Sequence, residues 1–542
     1  MILLCKGSEY ALGAMIFRAP ENRHLEIPEV ALTPWLLERT RTRGDKPAFI
    51  DSTTGRTLTF RAWTDAVPRV AVGLAQHGLR QGDVLAIYSP NLPEYAVAFH
   101  AVLLLGGIVT TVSPLFTASE LNNQLRDAGA RYVITVPPCV DKVKQAVQNT
   151  GVDEVFVFGE ADGATPFSSL LAAEGHPPHV TVDPHEDVAV LPYSSGTTGL
   201  PKGVMLTHHN LVANLVQSAA AFDLTERDTI LGVLPFFHIY GMTVIMNLGL
   251  YAGATIVTMP RFDLEQCLEV IENYRITVAN VVPPIVLAFA KSPVVDKYDV
   301  RSLRWLCSGA APLKAPLATA ASARLGCGVL QGYGLTETSP VTHVPRIGAA
   351  ASDPASIGPP VLDTEAKIVD VSTGAELEPN QEGEICIRGP QVMKGYLNRP
   401  EATRAMIDAD GWLHTGDIGY ANDDGCFFVV DRLKELIKFK GMQVAPAELE
   451  AVLLCHPCVA DAAVIPLDNE EAGQIPKAFV VLRDRATPDE IMAYVAERVA
   501  PYKKVRCLEV IDQIPKSPSG KILRRVLIER ELTARQRPDA TG

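Results

Sequence analysis

The sequence predicts an α/β fold with a smaller unit appended, and three observations carry that prediction. Apolar, β-branched runs alternate with stretches of helical length from residue 57 to 259, the runs shorten and turn residues crowd between them past 356, and a basic stretch from 431 introduces a fresh helix signature. Alternation of the first kind marks a mostly parallel sheet covered by helices. Residues 57–82 read as a strand then a helix, and Val84-Leu-Ala-Ile-Tyr88 as a strand closed by Ser89-Pro90-Asn91. Residues 95–112 are more hydrophobic, but His100, Gly106 and Gly107 interrupt them and the run falls short of a membrane span, so a buried helix is expected. Further strands are expected at 130–136, 154–158, 187–193, 228–234 and 254–259. The short runs at 366–371, 383–389 and 425–430 suit a small barrel or antiparallel sheet. Residues 446–454 read as a helix with Pro446 in its first turn and Glu448 and Glu450 near its positive end. A domain boundary is placed at about Asp431, dividing 15–430 from 431–542. Residues 1–14, ahead of a second methionine at Met15, are expected to be a disordered extension.

Composition narrows the class. The chain has 542 residues, 47% hydrophobic and 20% charged, a globular balance at a length that implies two to four domains. A net charge of −13 argues against nucleic-acid and anionic-membrane partners, which need a basic surface. Basic residues nevertheless gather late in the chain, with Arg432, Lys434, Lys438 and Lys440 close together and Lys503, Lys504, Arg506, Lys516, Lys521, Arg524 and Arg525 beyond them. That segregation suits a small polyanion. The cysteines are scattered, the pair in Cys455-His-Pro-Cys458 has no second ligand pair, and no HExxH occurs, so a zinc or redox motif is not expected. A reducing, cytoplasmic setting is the expectation. No secretory or transmembrane segment is read.

The segment Tyr193-Ser-Ser-Gly-Thr-Thr-Gly-Leu-Pro-Lys-Gly203 packs three glycines, four aliphatic hydroxyls and a lysine into a stretch with little to bury. Such a loop holds phosphate: glycine lets the backbone approach a ligand, while hydroxyls, N–H groups and an ammonium supply donors and charge. It is not a Walker A loop, because Pro201 and Gly203 stand where the second glycine and the Ser/Thr belong. Four further segments carry chemistry. His238 and Tyr240 sit in Leu234-Pro-Phe-Phe-His-Ile-Tyr-Gly241. Gln331-Gly-Tyr-Gly-Leu-Thr-Glu337 offers a ring that can stack on a base and a carboxylate that can hold Mg²⁺. Gly411-Trp-Leu-His-Thr-Gly-Asp417 with Asp431-Arg432 offers a carboxylate for ribose hydroxyls and a cation beside it. Pro515-Lys-Ser-Pro-Ser-Gly-Lys-Ile522 puts a lysine on a second Gly/Ser loop.

Together and in this order, these segments resemble the adenylate-forming superfamily of acyl-CoA synthetases, adenylation domains and beetle luciferases. Ser194-Ser-Gly-Thr-Thr-Gly-Leu-Pro-Lys-Gly-Val204 and Gly383-Glu-Ile-Cys-Ile-Arg-Gly389 resemble the two signature boxes of 4-coumarate:CoA ligases. Cys386 in the second box is read as a packed strand residue rather than a nucleophile. The resemblance implies a large N-terminal domain of two mostly parallel α/β subdomains plus a small distorted β-barrel, followed by a small mobile α+β C-terminal domain. It implies ATP, Mg²⁺ and coenzyme A acting with a small carboxylic acid, in a monomer or homodimer. The acid's carboxylate attacks the ATP α-phosphate to give acyl-AMP and pyrophosphate, and the CoA thiolate then displaces AMP.

By the same resemblance Lys521 is the adenylation catalyst, with His238 positioning the carboxylate or shaping the CoA tunnel. Ser194, Ser195, Gly196, Thr197, Thr198 and Lys202 hold phosphates, and Gln331, Gly332, Tyr333 and Thr336 the adenylate. Glu337 takes the metal, and Asp417 and Arg432 the ribose. Lys434 and Lys438 contact the acyl-adenylate, while Arg261, Lys440 and Gly441 serve CoA. The acyl pocket is expected from Tyr240, Val244, Ala310, Gly334, Pro340 and Val344. Val244 and Val344 stand where plant ligases carry a serine and a methionine, so the pocket is less polar at its ring end and suits cinnamate at least as well as 4-coumarate. Medium-chain fatty acids remain an alternative, as do a luciferase-like monooxygenase and an inactive nucleotide-binding relative. An amino acid fits less well, because 236–238 offers no aspartate for an α-ammonium group.

Overall fold

The computed structural model describes residues 15–21, 23–194, 201–345, 347, 353–433, 435–439, 442–469, 472–499, 501–517, 520 and 522–536. The extension expected at 1–14 lies outside these residues. Two sheets form the body of the protein. One has eight strands in the spatial order Gly395–Tyr396, Lys202–Thr207, Val188–Ser194, Ile108–Val112, Val84–Tyr88, Ala130–Thr135, Glu154–Val157, Thr165–Pro166. Its strands from Val188–Ser194 onward run parallel, and the first two are antiparallel additions at the edge. The other has seven strands, ordered Gly328–Gln331, Trp305–Ser308, Val278–Val281, Thr229–Gly232, Thr255–Thr258, Pro47–Asp51, Thr57–Thr59, parallel up to the last pair. Strands covered on both faces read as unbroken apolar runs, and all five residues of Val84–Tyr88 are buried.

The expected helix at 95–112 is corrected. A buried helix spans Pro93–Leu104, Gly106 then turns the chain at φ +65°, and Ile108–Val112 forms a parallel strand in register with Val84–Tyr88. Helix and strand are both buried along nearly their whole length, so neither shows the periodicity that would separate them in sequence. One hydrophobic cluster, containing Trp63, Tyr95, Phe99, Phe236 and Trp305, joins the two sheets and their helices.

The region of short strands is a four-stranded antiparallel sheet, Glu365–Val369, Gly383–Arg388, Leu413–Ala421 and Phe427–Arg432, with its own core of Ile368, Ile385, Ile387 and Phe427. Asp431 lies within its last strand. Beyond it, Ile437–Phe439, Met442–Val444, Val459–Asn469, Gly473–Leu482 and Cys507–Val510 make a five-stranded sheet packed with helices Pro446–Leu454, Pro488–Ala496 and Arg524–Gln536. The buried residues there, among them Val444, Leu449, Val464 and Val480, form a separate cluster. Among the described residues no helix is long and apolar enough to cross a membrane.

Candidate active site

Parallel sheets present ligands at the carboxyl ends of their strands, where successive loops diverge. Ser194 ends one such strand, Ser308 and Gln331 end two others, and the loop holding His238 leaves Thr229–Gly232. The two sheets are tied together at this end. Asn91 Nδ2 donates to the Gly232 and Leu234 carbonyls at 2.9 and 2.8 Å, its Oδ1 accepts from the Phe236 N–H at 2.7 Å, and Thr111 Oγ1 donates to the Phe237 carbonyl at 2.7 Å. These buried bonds fix the loop that carries His238.

Ser194 pairs with Lys202 in the antiparallel pair of strands Val188–Ser194 and Lys202–Thr207, so the two residues flank the glycine-rich segment. Ser195, Gly196, Thr197 and Thr198 lie outside the described residues. Ser194 Oγ donates to Glu337 Oε1 at 2.8 Å, and the Tyr396 hydroxyl donates to the same oxygen at 2.8 Å. Oε2 has no hydrogen bond among the described residues. The Lys202 ammonium lies over the Tyr396 ring, 4.6 Å from its centroid. Glu337 is buried in the turn Thr336–Thr338, with Thr336 half-buried beside it. A buried carboxylate that spends one oxygen on two hydroxyls has the other free of those bonds, and a carboxylate oxygen is the type of ligand a hard cation takes.

The second carboxylate stands nearby. Asp417 is buried, accepts from the Tyr333 hydroxyl through Oδ2 at 2.7 Å, and pairs with Arg432 Nε through Oδ1 at 3.0 Å. Burial alone would lower the Arg432 pKa, but the carboxylates of Asp417, Glu435 and Glu337 and the Tyr333 hydroxyl outweigh it and hold the guanidinium charged. Gln331 bridges two loops: its Oε1 accepts from the Leu313 N–H at 2.5 Å and its Nε2 donates to the Ala355 carbonyl at 3.2 Å. The Gly332 N–H continues the strand by donating to the Ser308 carbonyl at 2.9 Å.

The apolar side centres on Tyr240, whose hydroxyl donates to the Cys307 carbonyl at 2.9 Å and lies 3.4 Å from Asn280 Oδ1. Burial pushes its pKa well above the ordinary phenol value. Gly309 packs against that ring, where a Cβ would come within 2.8 Å of it. Val244 is buried in the π-helical turn Gly241–Asn247, and Val344 and Pro340 are buried as well. Gly334 lies against the Pro340 carbonyl with no room for a side chain. Ala310 differs from its neighbours: it is exposed and holds a left-handed φ of +67°. His238 Nδ1 accepts from the Tyr240 N–H at 3.2 Å, and desolvation draws its pKa down to about 4, which keeps the imidazole neutral.

Arg261 is exposed in the loop before the helix Leu264–Asn273. Lys434, Lys440, Gly441 and Lys521 lie outside the described residues, and Lys438 is described by its backbone alone, in Ile437–Phe439. Next to Lys521, Gly520 packs on the large unit: a Cβ there would lie 2.8 Å from Pro284 Cγ. Three residues at the site escaped the sequence reading: Tyr396, Asn91 and Asn280. The only local hint was Gly395-Tyr396, a glycine before an aromatic residue; Gly395 adopts φ +148° there.

The Ser194 hydroxyl and Lys202 at the ends of a hairpin, two buried carboxylates and a half-buried guanidinium are the polar groups that the fold gathers here. Two family models match, the AMP-binding enzyme over residues 36–397 and the AMP-binding enzyme C-terminal domain over 448–521, and the chain belongs to this family of adenylate-forming enzymes. Within it the chain is 47% identical over 515 residues to a 4-coumarate–CoA ligase of Oryza sativa subsp. japonica, covering 93% of this chain and 95% of that one. It is 46% identical to a 4-coumarate–CoA ligase of Petroselinum crispum, with 95% and 96% covered. Among solved structures it is similar to the anthranilate CoA ligase AuaEII in complex with anthranoyl-AMP, with a TM-score of 0.85 at 27% identity over 94% of this chain and 99% of that one. ATP-bound MatB from Rhodopseudomonas palustris gives 0.84 at 28% identity, with 91% and 98% covered.

Proposed function

We propose that the protein is an ATP-dependent acid–thiol ligase that joins a cinnamate- or 4-coumarate-type acid to coenzyme A through an acyl-AMP intermediate. One observation carries the reading: two buried carboxylates, Glu337 and Asp417, each accept a hydrogen bond from a tyrosine hydroxyl, of Tyr396 and Tyr333 respectively. The full-length similarity to 4-coumarate–CoA ligases supports the choice of acid.

In the first half-reaction, two anions must meet, so cations have to offset the charge that builds on the α-phosphate. Lys202 and the backbone and hydroxyls of Ser194, Ser195, Gly196, Thr197 and Thr198 hold the β- and γ-phosphates. Asp417 accepts the ribose hydroxyls while Arg432 neutralises it, and Gln331, Gly332, Tyr333 and Thr336 seat the adenylate. Glu337 would hold Mg²⁺, which when bound neutralises phosphate charge. Lys521 donates to the reacting carboxylate and phosphate, a role favoured by the packing of neighbouring Gly520 on Pro284. A neutral His238 can accept or donate without repelling these cations. The acyl chain enters beside Tyr240, Val244, Gly334 and Val344, with Ala310 at the rim.

In the second half-reaction, the unit 431–542 turns about Asp431, exchanging Lys521 for Lys440 and Gly441 and opening the path for CoA past Arg261, while Lys434 and Lys438 stay with the acyl-adenylate. Its separate hydrophobic core supports such a movement, since few apolar contacts then have to break.

The test is acid-dependent pyrophosphate release with ATP and Mg²⁺, with and without CoA, across cinnamate, 4-coumarate, benzoate, octanoate and phenylalanine. Preference for the phenylpropenoates with thioester formed only in the presence of CoA is expected. Preference for octanoate would move the protein to the fatty acyl-CoA synthetases, and no release with any acid would refute the ligase reading.

A further inference from the structure

We propose that Glu384 and His414 are positioning residues for Asp417, acting through a bulge that they hold in shape. The inference rests on the reading that Asp417 takes the ribose. Strands Gly383–Arg388 and Leu413–Ala421 pair Glu384 with Ile418 and Cys386 with His414. Between these pairs Ile385 stands alone against Thr415, Gly416 and Asp417, so the second strand carries two residues too many. Bulges re-aim side chains beside active sites and leave backbone groups without ladder partners. Here the surplus segment is the one that bears Asp417.

Three bonds replace the lost ladder. Glu384 Oε1 accepts the Gly416 N–H at 2.9 Å, Thr415 Oγ1 donates to the Ile385 carbonyl at 2.7 Å, and the Asp417 N–H donates to Thr415 Oγ1 at 3.0 Å. Gly416 supplies the left-handed turn at φ +68°. Glu384 is held in turn. Its Oε2 lies 2.9 Å from His414 Nδ1, and His414 Nε2 lies 3.5 Å from Asp408 Oδ2. An imidazole with a carboxylate at each nitrogen is kept as a cation. The Cys386 Sγ, 3.5 Å from Nδ1, and Glu384 together raise its pKa to about 10. Lys367, cross-strand from Cys386, is the cation on the adjoining strand. The direction of Asp417 therefore depends on a charged pair that never touches the nucleotide.

The same geometry sets the control. Glu384, Cys386 and His414 bring oxygen, sulfur and nitrogen donors within 4.8 Å of one another, a set that zinc also accepts. Stoichiometric zinc in the purified protein, lost on His414→Leu, would make the imidazole a neutral ligand and overturn the proposal.

The experiment measures KM for ATP, KM for the acid and kcat of pyrophosphate release, with thermal melting, for Glu384→Ala, Glu384→Gln, His414→Leu and Asp417→Asn. Misaiming one ribose contact should raise KM for ATP by about tenfold in Glu384→Ala, with KM for the acid moving by no more than about twofold. Glu384→Gln keeps an oxygen for the Gly416 N–H and should recover most of that loss, with His414→Leu falling between. A general packing role predicts instead lower kcat and melting temperature without a split between the two KM values and without rescue by glutamine; that result would overturn the proposal. If Asp417→Asn leaves KM for ATP unchanged, the ribose reading itself fails. If Asp417→Asn raises it and neither Glu384→Ala nor His414→Leu does, only the positioning role fails. His414 is partly exposed, so its variant keeps the test open if Glu384→Ala does not fold.

Discussion

Tyr396→Phe removes a single oxygen and leaves the ring under Lys202 in place, so it isolates the bond to Glu337 Oε1. A hydrogen bond to a charged, buried acceptor contributes about 1.5–3 kcal/mol, and the lower end applies because Ser194 Oγ still donates to the same oxygen. The carboxylate then loses one of its two restraints, and if it holds Mg²⁺ as proposed, such a loss weakens metal affinity by about tenfold or more. The assay is a Mg²⁺ titration of acid-dependent pyrophosphate release at saturating ATP and acid, run beside urea denaturation. The half-saturating Mg²⁺ should rise about tenfold while kcat at saturating Mg²⁺ changes little. Because both hydroxyls act on one oxygen, Ser194→Ala and Tyr396→Phe should couple by more than about 0.5 kcal/mol in a double-mutant cycle. An unaltered Mg²⁺ requirement in a variant that has nonetheless lost stability would refute the reasoning, since Tyr396 would then serve packing and not the carboxylate.

Other outcomes follow from the same geometry. Lys521→Ala should slow acyl-AMP formation by roughly two to three orders of magnitude while supplied acyl-AMP is still converted to thioester, as single-turnover assays of each half-reaction would show; equal losses in both would remove Lys521 from the first step. In Gly334→Ala the new Cβ would overlap the Pro340 carbonyl, a backbone group that cannot swing aside, so a loss of about 1–3 kcal/mol in urea denaturation and a higher KM for the acid are expected. The raised His414 pKa stabilises the fold fully below its unfolded value of 6.5, and that contribution is lost as pH climbs through about 10. His414→Leu should therefore flatten the fall in stability between pH 7 and pH 10, and an unchanged slope would show that the imidazole is not held as a cation.

Much of the fold could be read from local pattern because burial and local pattern coincide. Val84–Tyr88 and the helix Pro446–Leu454 appear with the bounds read from their apolar run and their first-turn proline. Residues 95–112 read as one helix because a helix and a strand, each buried along nearly its whole length, look alike without polar positions to mark a period. The motif-borne side chains Ser194, Glu337, Tyr333, Asp417 and Arg432 do meet in hydrogen bonds or ion pairs. Their partners were harder to see. Tyr396 reaches Glu337 from 59 positions away, and Glu384 and His414 meet across a strand pair 30 positions apart. Such contacts are set by register, and a two-residue bulge is not a compositional signal, although Gly416 just before Asp417 was a trace of it.

The edge strand Gly395–Tyr396 pairs with Lys202–Thr207, although nearly two hundred residues separate them along the chain. During synthesis, the hairpin and its glycine-rich turn emerge from the ribosome long before the tyrosine that completes the setting of Glu337. A nascent chain stopped short of that strand could already bury the core between its sheets and still lack the tyrosine hydroxyl that bonds Glu337. If Glu337 serves the nucleotide as proposed, nucleotide binding would report that the eight-stranded sheet has gained its edge strand rather than that it has begun to fold, and ATP would favour only chains made at least that far.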